Sequence, residues 1–287
     1  MRIDAERITF AYGDRRVLRD LSVTFEAGKV YGIVGKNGAG KTTFFKVLTN
    51  IITNYQGTIK IADVDVKANP EVLAKVGILL DDIELYKSYT GWFNLRYFGG
   101  LRGNFDEEKV RQLAAKLGID DALGKRVSSY SLGMGKKLIL LISLMNDAEI
   151  LIFDEPFRGI DAASVAWFRE TLLSLKKEGK LILISSHVQE DIEMLCDVVY
   201  GLSDGKFTDS FDLNDKNQVL TYRVVVSDVS VLTEILSVRG LVYQVEHQVV
   251  SFDATVEKFQ EVFQESVGKG LIFDEIKKDS KFVEFVK

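Results

Sequence analysis

The sequence is poor in cysteine and proline and has no long apolar segment. Cys196 is the only cysteine among 287 residues, so no disulfide can form within the chain, and a reducing, cytoplasmic setting fits this usage. Proline occurs twice, which leaves the 23 glycines to supply most of the turns. The longest apolar run, near residues 138–145, is far shorter than the ~20 residues that a membrane-spanning helix needs.

The sequence also lacks the marks of a secreted or a nucleic-acid-binding protein. Residues 1–10 mix charged and apolar side chains without a continuous apolar stretch, so no secretory signal is expected. The formal net charge is -5, whereas a nucleic-acid partner usually requires a basic surface. We therefore expect a protein that neither crosses a bilayer by itself nor binds nucleic acid.

The apolar pattern of the first half predicts strands followed by a helical region. Strands are expected at residues 3–10, 21–25 and 29–34, and the third runs into a glycine-rich loop. A helix at 42–52 follows that loop, and residues 88–146 have mainly helical spacing.

From residue 150 onward, strands and helices alternate. The pattern predicts strands at 150–153 and 181–185, a helix at 162–178 that Asp161 caps, and a helix at 189–199. Alternation of this kind is typical of a parallel sheet with helices on its faces.

A cluster of polar residues at 212–218 predicts a domain boundary. The segment after it has the order of a small split-βαβ sandwich. Its strands are expected at residues 220–226, 241–246, 249–252 and 272–276, and its helices at 230–237 and 256–267. The C-terminal part is therefore expected to be a small α+β domain.

A phosphate-binding loop lies between the third strand and the first helix. Gly35-Lys36-Asn37-Gly38-Ala39-Gly40-Lys41-Thr42 fits the pattern G-x-x-x-x-G-K-[ST] in full and stands in the required strand–loop–helix context. Glycines allow the backbone N–H groups to turn inward around an anion, and the helix N-terminus adds its positive dipole end. We expect Lys41 to reach the β- and γ-phosphates and Thr42 to ligate Mg²⁺.

Two carboxylates follow an apolar strand at residues 150–153. Asp154 and Glu155 stand at a buried strand end, which is a costly place for acids unless a cation or a proton transfer uses them. In a phosphate-loop enzyme the aspartate holds Mg²⁺ and the adjacent glutamate acts as general base on the attacking water. The two motifs together predict a nucleoside triphosphatase.

Four further segments narrow the choice of family. Ser131-Leu132-Gly133-Met134 opens a predicted helix 23 positions before Asp154, and Gly159-Ile160-Asp161 follows the two acids. His187 stands just after the strand at 181–185, and Tyr12 lies in an aromatic turn near the N-terminus.

The order of these motifs resembles the ATP-binding cassette of ABC transporters over roughly residues 1–210. More narrowly, the chain resembles the cassettes of bacterial drug, lantibiotic and polysaccharide exporters, which carry a Ser-x-Gly-Met signature and a C-terminal extension of about this length. The resemblance implies an α/β fold: a phosphate-loop NTPase core with a parallel sheet, an antiparallel β subdomain and a helical subdomain at about 88–146. An ATPase domain is thus expected at residues 1–211 and the small α+β domain at 212–287.

The resemblance implies ATP and Mg²⁺ as ligands. Glu155 and His187 would be catalytic, as general base and switch histidine, and Thr42, Asp154 and Asp81 would face Mg²⁺. The implied ATP-binding residues are Tyr12, Gly35, Asn37, Gly38, Ala39, Gly40, Lys41, Thr42, Thr43, Ser131, Gly133 and Asp161.

The resemblance also implies partners. Two copies would pair head to tail, with Ser131 and Gly133 of one copy facing the γ-phosphate bound by the other. A separate membrane-spanning subunit would dock near Asp81 and the helical region, where the aromatic residues Trp92, Phe93, Tyr97 and Phe98 offer apolar area. That arrangement places the protein at the cytoplasmic face of the cell membrane.

The sequence departs from the family pattern at two places. The usual signature, Leu-Ser-Gly-Gly-Gln, has a further glycine where this chain has Leu132 and a glutamine where it has Met134. Asp81 stands where the family usually has a glutamine that joins Mg²⁺ and the membrane subunit, and its carboxylate adds negative charge near the γ-phosphate.

Three other kinds of ABC ATPase fit the sequence less well. Assembly ATPases of iron–sulfur scaffolds end soon after the switch histidine, whereas this chain continues. DNA-repair ATPases insert long coiled coils, but Ser131 follows Lys41 by only 90 positions without sustained heptads. Translation-factor types carry two cassettes, and this chain has one phosphate loop.

Overall fold

A computed structural model describes residues 1–80, 83–101, 103, 105–215, 217–280 and 282–286 of the chain. The chain divides into two compact units. The first unit comprises Met1–Ser210 and the chain end from Phe285, and the second comprises Phe211–Glu284.

The secondary structure alternates much as the apolar pattern predicts. The strands are β1 (Arg2–Tyr12), β2 (Arg15–Glu26), β3 (Val30–Val34), β4 (Gln56–Ile61), β5 (Val64–Asp65), β6 (Val76–Leu79), β7 (Ile150–Asp154), β8 (Leu181–Ser185), β9 (Val198–Ser203), β10 (Lys206–Asp212), β11 (Leu220–Val226), β12 (Tyr243–Glu246), β13 (Val249–Ala254) and β14 (Phe273–Ser280). The α-helices are α1 (Lys41–Leu48), α2 (Gly91–Gly100), α3 (Glu107–Leu117), α4 (Leu132–Met145), α5 (Ala162–Lys177), α6 (Gln189–Leu195), α7 (Val229–Val238), α8 (Val256–Gly268) and α9 (Val283–Val286).

A mainly parallel sheet forms the centre of the first unit. Its strand order is β10-β9-β3-β8-β7-β6, and β3, β8 and β7 run parallel. Every residue of these three strands is buried, which explains why their sequences are continuous apolar runs rather than alternating ones. Because parallel strands end at the same edge, the loops after β3, β7 and β8 meet there.

An antiparallel sheet with the order β2-β1-β4-β5 packs beside this centre. Ile3, Ala5, Ile8 and Phe10 of β1 are buried, and the register with β2 shifts between Ala5 and Ile8. The shift keeps the same face apolar on both sides of the irregularity. The strand β1 thereby places Tyr12 at its end.

The helices of the middle region begin and end at recognisable caps. Asp106 accepts a hydrogen bond from the Lys109 backbone N–H before α3, and Gly118 ends that helix in the left-handed conformation at φ 63°. Ser131 caps α4 and Asp161 caps α5 in the same way as Asp106 caps α3. No α-helix in the described ranges has the length and apolarity needed to cross a membrane.

Two predicted helices end earlier than their apolar spacing indicates. The helix predicted at 42–52 ends at Leu48, and the one predicted at 189–199 ends at Leu195. In the second case Val198 and Val199 belong to β9, which pairs with β3. These apolar residues fit both a helix and a strand, and pairing with β3 places them in the strand.

The second unit is a four-stranded antiparallel sheet with helices on one face. The strand order is β12-β13-β11-β14, which agrees with the predicted split-βαβ arrangement. Alternate residues of β11 are buried, and Val224 belongs to an apolar core with Leu232 and Ile235 of α7 and Val262 of α8.

Candidate active site

The phosphate loop and the two acids meet at one edge of the parallel sheet. β3 ends at Val34, and the loop that follows leads into α1 at Lys41. Asp154 at the end of β7 pairs in register with Ser185 at the end of β8. A cavity of about 330 Å³ lies over these strand ends.

Most of the predicted site residues line this cavity, and a few do not. The predicted residues that line it are Tyr12, Asn37, Gly38, Gly40, Lys41, Thr42, Thr43, Asp154, Glu155 and His187. Three residues that the sequence did not single out join them: Arg15, Val17 and Arg158. Asp81, predicted to face Mg²⁺, lies outside the described residues.

The backbone of the loop requires glycine at particular positions. Gly38 and Gly40 have φ values of 83° and 113°, in the left-handed region that side chains disfavour. A Cβ on Gly35 would meet the Leu202 carbonyl oxygen at 2.2 Å. Since Gly40 caps α1 without a side-chain hydrogen bond, the first N–H groups of that helix are available to an anion.

The Lys41 side chain is folded into the loop. Its Nζ donates to the carbonyl oxygens of Gly35, at 2.5 Å, and of Lys36, at 3.4 Å. Burial lowers the pKa of Lys41, and the nearby charges of Glu155 and Asp154 oppose that shift. A phosphate group in the loop would replace two neutral carbonyls with a charged acceptor.

Thr42 and Asp154 place two oxygens side by side. Thr42 Oγ1 donates to Asp154 Oδ2 at 2.5 Å, and Ser185 Oγ donates to Asp154 Oδ1 at 2.5 Å. Asp154 is almost completely buried. A hydroxyl and a carboxylate in this position form the kind of oxygen pair that holds a hard divalent cation.

Glu155 is held in an uncommon backbone conformation. Its φ of 48° lies in the left-handed region. Its N–H donates to Ser185 Oγ at 3.0 Å, and its carbonyl oxygen accepts from Lys136 Nζ at 2.5 Å. The turn directs the side chain toward the cavity.

The carboxylate of Glu155 is buried beside a histidine. His187 Nε2 lies 3.1 Å from Glu155 Oε1, and the glutamate side chain is only 12% exposed. Within the described residues, Oε1 accepts no hydrogen bond of good geometry. Burial raises the pKa of Glu155, although the His187 charge opposes that rise. An ionisable, incompletely satisfied carboxylate in a cavity is typical of a proton acceptor.

Tyr12 is placed as a flat apolar platform. Its ring contacts Phe10 edge to face at 4.7 Å, half of the residue remains exposed, and it lines the cavity. Val17 lines the same region, on the strand that follows the Tyr12-Gly13-Asp14 turn. Such an arrangement can accept a planar heterocycle.

The signature residues lie away from this cavity. Ser131 Oγ accepts from the Met134 backbone N–H at 3.3 Å, and Leu132 beside it is 87% exposed. A Cβ on Gly133 would meet the carbonyl oxygen of Gly159 at 2.6 Å, so the helix start packs directly on the loop after β7.

Asp161, one of the implied ATP-binding residues, does not line the cavity and contacts residues of its own chain. Its carboxylate accepts from the Ser164 backbone N–H and forms an ion pair with Lys137 Nζ at 2.5 Å. The hydrogen bond from Lys137 lowers the pKa of Asp161 far below its usual range. The aspartate therefore links α4 and α5.

Comparison with known proteins identifies the family. A family model described as "ABC transporter" matches residues 18–158. The ABC transporter ATP-binding protein NatA of Bacillus subtilis is 40% identical over 196 residues, which cover 67% of this chain and 80% of NatA. This chain belongs to the ABC transporter ATP-binding proteins. As an ABC ATPase, it binds and hydrolyses ATP.

Other matches agree with that assignment. The bacitracin transport ATP-binding protein BcrA of Enterococcus faecalis is 33% identical to this ABC ATPase over 215 residues, or 74% of this chain and 70% of BcrA. A solved ATP-binding subunit of an ABC transporter has a TM-score of 0.68 at 20% identity, covering 92% of this chain and 99% of its own. That likeness supports the fold. The predicted family, fold class and ATPase activity are confirmed.

Proposed function

We propose that this ABC ATPase hydrolyses Mg-ATP in the cavity over β3, β7 and β8, with Glu155 as general base. The observation that carries the proposal is the buried Glu155 carboxylate, which faces the cavity beside His187 without a full set of hydrogen-bond donors. Glu155 takes a proton from the attacking water, and His187 orients the water and the γ-phosphate. Tyr12 stacks on the adenine ring.

Thr42 and Asp154 are the residues that would hold Mg²⁺. Their oxygens lie 2.5 Å apart at the cavity, and a hydroxyl with one carboxylate fits a cation that takes its remaining ligands from phosphates and water. When bound, Mg²⁺ offsets the negative charge that develops on the phosphates during transfer. We propose Asp81 as a further neighbour of the cation.

The proposed base gives this enzyme a characteristic pH dependence. Glu155 must be ionised to accept a proton, and its pKa is raised by burial. The kcat/KM, which reports the pKa values of the free enzyme, should therefore fall as the pH drops through a value above that of an ordinary glutamate. Asp154 further raises this pKa, whereas Lys41 and His187 lower it.

The pH profile is measured as kcat/KM for Mg-ATP. In a His187→Ala variant the acidic limb should move to higher pH, because the charge that opposes the rise is removed. An acidic limb at the same pH in wild type and variant, or one that survives in Glu155→Gln, would contradict the assignment.

Arg15 is proposed as an additional ATP contact. Its Nη2 lies 3.8 Å from where a Cβ of Gly38 would stand, at the rim of the phosphate loop. Arg15→Gln should weaken ATP binding about 3- to 10-fold, since an exposed charged contact is worth about 1 kcal/mol. Titrations with ATP, ADP and AMP would show which phosphate it contacts.

Arg19→Gln is the matched control for Arg15. Arg19 lines an adjacent polar cavity that Arg15 and Gly38 share, but it does not line the ATP cavity. If the two substitutions weaken ATP binding equally, the effect of Arg15 comes from the overall positive charge and not from a direct contact with ATP.

We propose that two copies pair head to tail around two ATP molecules. The exposed signature start at Ser131 and Leu132 is available to a second copy, and the Ser131 hydroxyl and Gly133 N–H would face the γ-phosphate bound by that copy. Contacts from both copies to one γ-phosphate make ATP a bridge, and hydrolysis removes the bridge. Asp161 would couple the interface between the two copies to the ATP site of its own chain.

A separate membrane-spanning subunit is the proposed second partner, with export as the direction of transport. Tyr89, Phe93 and Tyr97 form an exposed stack, with ring centroids 4.1 Å apart in the first pair and 6.1 Å in the second. Trp92 lies instead under the guanidinium group of Arg111. BcrA is named for bacitracin transport, which supports a role in transport. Export and a place at the cytoplasmic face of the membrane are proposed on the resemblance to bacterial drug and lantibiotic exporter ATPases.

The two compact units are proposed to be separable domains with a boundary near residue 211. A chain that ends at Ser210 should fold and bind ATP. It should melt about 2–4 °C lower, because it loses half-buried Phe285, whose ring lies 2.9 Å from where a Cβ of Gly201 would stand. Thermal melting with and without ATP measures both effects, and loss of the ATP-induced rise would exclude an independent ATPase domain.

A further inference from the structure

Helix α4 reaches the catalytic loop through Lys136. Lys136 Nζ donates to the carbonyl oxygen of Glu155 at 2.5 Å, across 19 positions of sequence. Ser131, which caps the same helix, stands five residues earlier, or about 7.5 Å along the axis. One short stretch of helix therefore carries both the signature serine and a direct contact to the proposed general base.

The hydrogen bond from Lys136 helps to fix the direction in which the Glu155 side chain points. Two hydrogen bonds hold Glu155 in its left-handed conformation. Its N–H donates to Ser185, and its carbonyl oxygen accepts from Lys136. The strand end supplies Ser185, whereas α4 supplies Lys136. Since a left-handed non-glycine residue persists only where its surroundings hold it, release of either bond would allow the carboxylate to turn away.

Two neighbouring contacts tie α4 to the same loop. Gly133 packs so closely on the Gly159 carbonyl that no Cβ fits between them, and Lys137 pairs with Asp161 at 2.5 Å. The first two turns of α4 thus contact the segment 155–161 at three places. Because these contacts are closely packed, a movement of the start of α4 would also move the catalytic loop.

We infer that Lys136 is a positioning residue that links Glu155 to the state of helix α4, so that the contacts of Ser131 with a second copy alter turnover at the chain's own ATP site. The inference rests on the proposed head-to-tail pairing and on Glu155 as base. Each signature helix then touches two ATP sites: the partner's through Ser131 and its own through Lys136. Binding at one site thereby changes catalysis at the other.

Lys136→Met tests the link, because methionine keeps much of the side-chain length and removes the N–H donors. The kcat should fall at least tenfold, while the Kd for ATP changes less than twofold, since Lys136 donates to a peptide carbonyl and does not line the ATP cavity. The Hill coefficient for ATP hydrolysis should fall toward 1. Lys136→Arg should restore most of the kcat, because a guanidinium group can donate to the same carbonyl.

Lys177→Met at the exposed end of α5 is the matched control and should change none of these values. A kcat or a Hill coefficient that is unchanged in Lys136→Met overturns the inference, as does a loss that Lys136→Arg does not reverse. A melting temperature measured for each variant separates positioning from unfolding. Wild-type turnover in Glu155→Gln would instead overturn the proposed base, whatever the Lys136 variants do.

Discussion

Glu155→Gln should bind ATP with unchanged affinity and release phosphate about 10² to 10⁴ times more slowly than the wild type. Glutamine keeps the shape of the buried side chain but cannot accept a proton from water. Because the γ-phosphate would persist, the variant should accumulate as an ATP-bound dimer. Steady-state phosphate release and size-exclusion chromatography with Mg-ATP measure the two effects.

Glu149→Gln is the control for this substitution. Glu149 precedes the same strand at its opposite end, on the surface, where it pairs with Lys75 at 3.1 Å. The Glu149→Gln variant should hydrolyse ATP at the wild-type rate, and its ATP-bound dimer should dissociate as the wild-type dimer does. Wild-type turnover in Glu155→Gln, with the membrane subunit present, would show that another group is the base.

Lys41→Ala should weaken ATP binding by about 10²-fold. The side chain is buried in the phosphate loop, and a charge-assisted hydrogen bond is worth about 1.5–3 kcal/mol. The substitution also removes the bonds from Nζ to Gly35 and Lys36, so the empty loop itself is expected to loosen. Equilibrium dialysis gives the affinity, and circular dichroism establishes that the chain remains folded.

Lys46→Ala on the same helix provides the comparison. Lys46 lies in the last turn of α1 and does not line the ATP cavity. Its replacement should leave the affinity for ATP within twofold of the wild type. If Lys41→Ala binds ATP as tightly as Lys46→Ala does, Lys41 is not the phosphate-binding lysine.

The sequence predicted those parts of the site whose residues are neighbours in the chain. The phosphate loop and the Asp154-Glu155 pair stand next to buried strands, and both strands appear where the apolar runs indicate. His187 and Tyr12 required the family resemblance, because each is a single residue without a pattern of its own. The structure brings both to the same cavity.

The contacts that sequence reasoning missed join distant segments. Arg158 and Arg15 line the cavity, but an isolated arginine in a loop carries no spacing that marks it. Lys136 reads as an ordinary polar residue in a helix, and only the packing of α4 on the loop after β7 brings it to Glu155. The end of α6 was missed for a related reason, because Val198 and Val199 pair with β3 as part of β9.

The close packing of Gly133 on Gly159 has an evolutionary consequence. Any descendant of this sequence that acquires a side chain at position 133 must first displace the Gly159 carbonyl of its own chain. Two kinds of selection would then act on position 133: selection for a monomer that folds, and selection for an ATP site shared by two copies. Close packing within the monomer alone already excludes a side chain there. The absence of a side chain there would be retained even in a lineage that had lost the ability to pair.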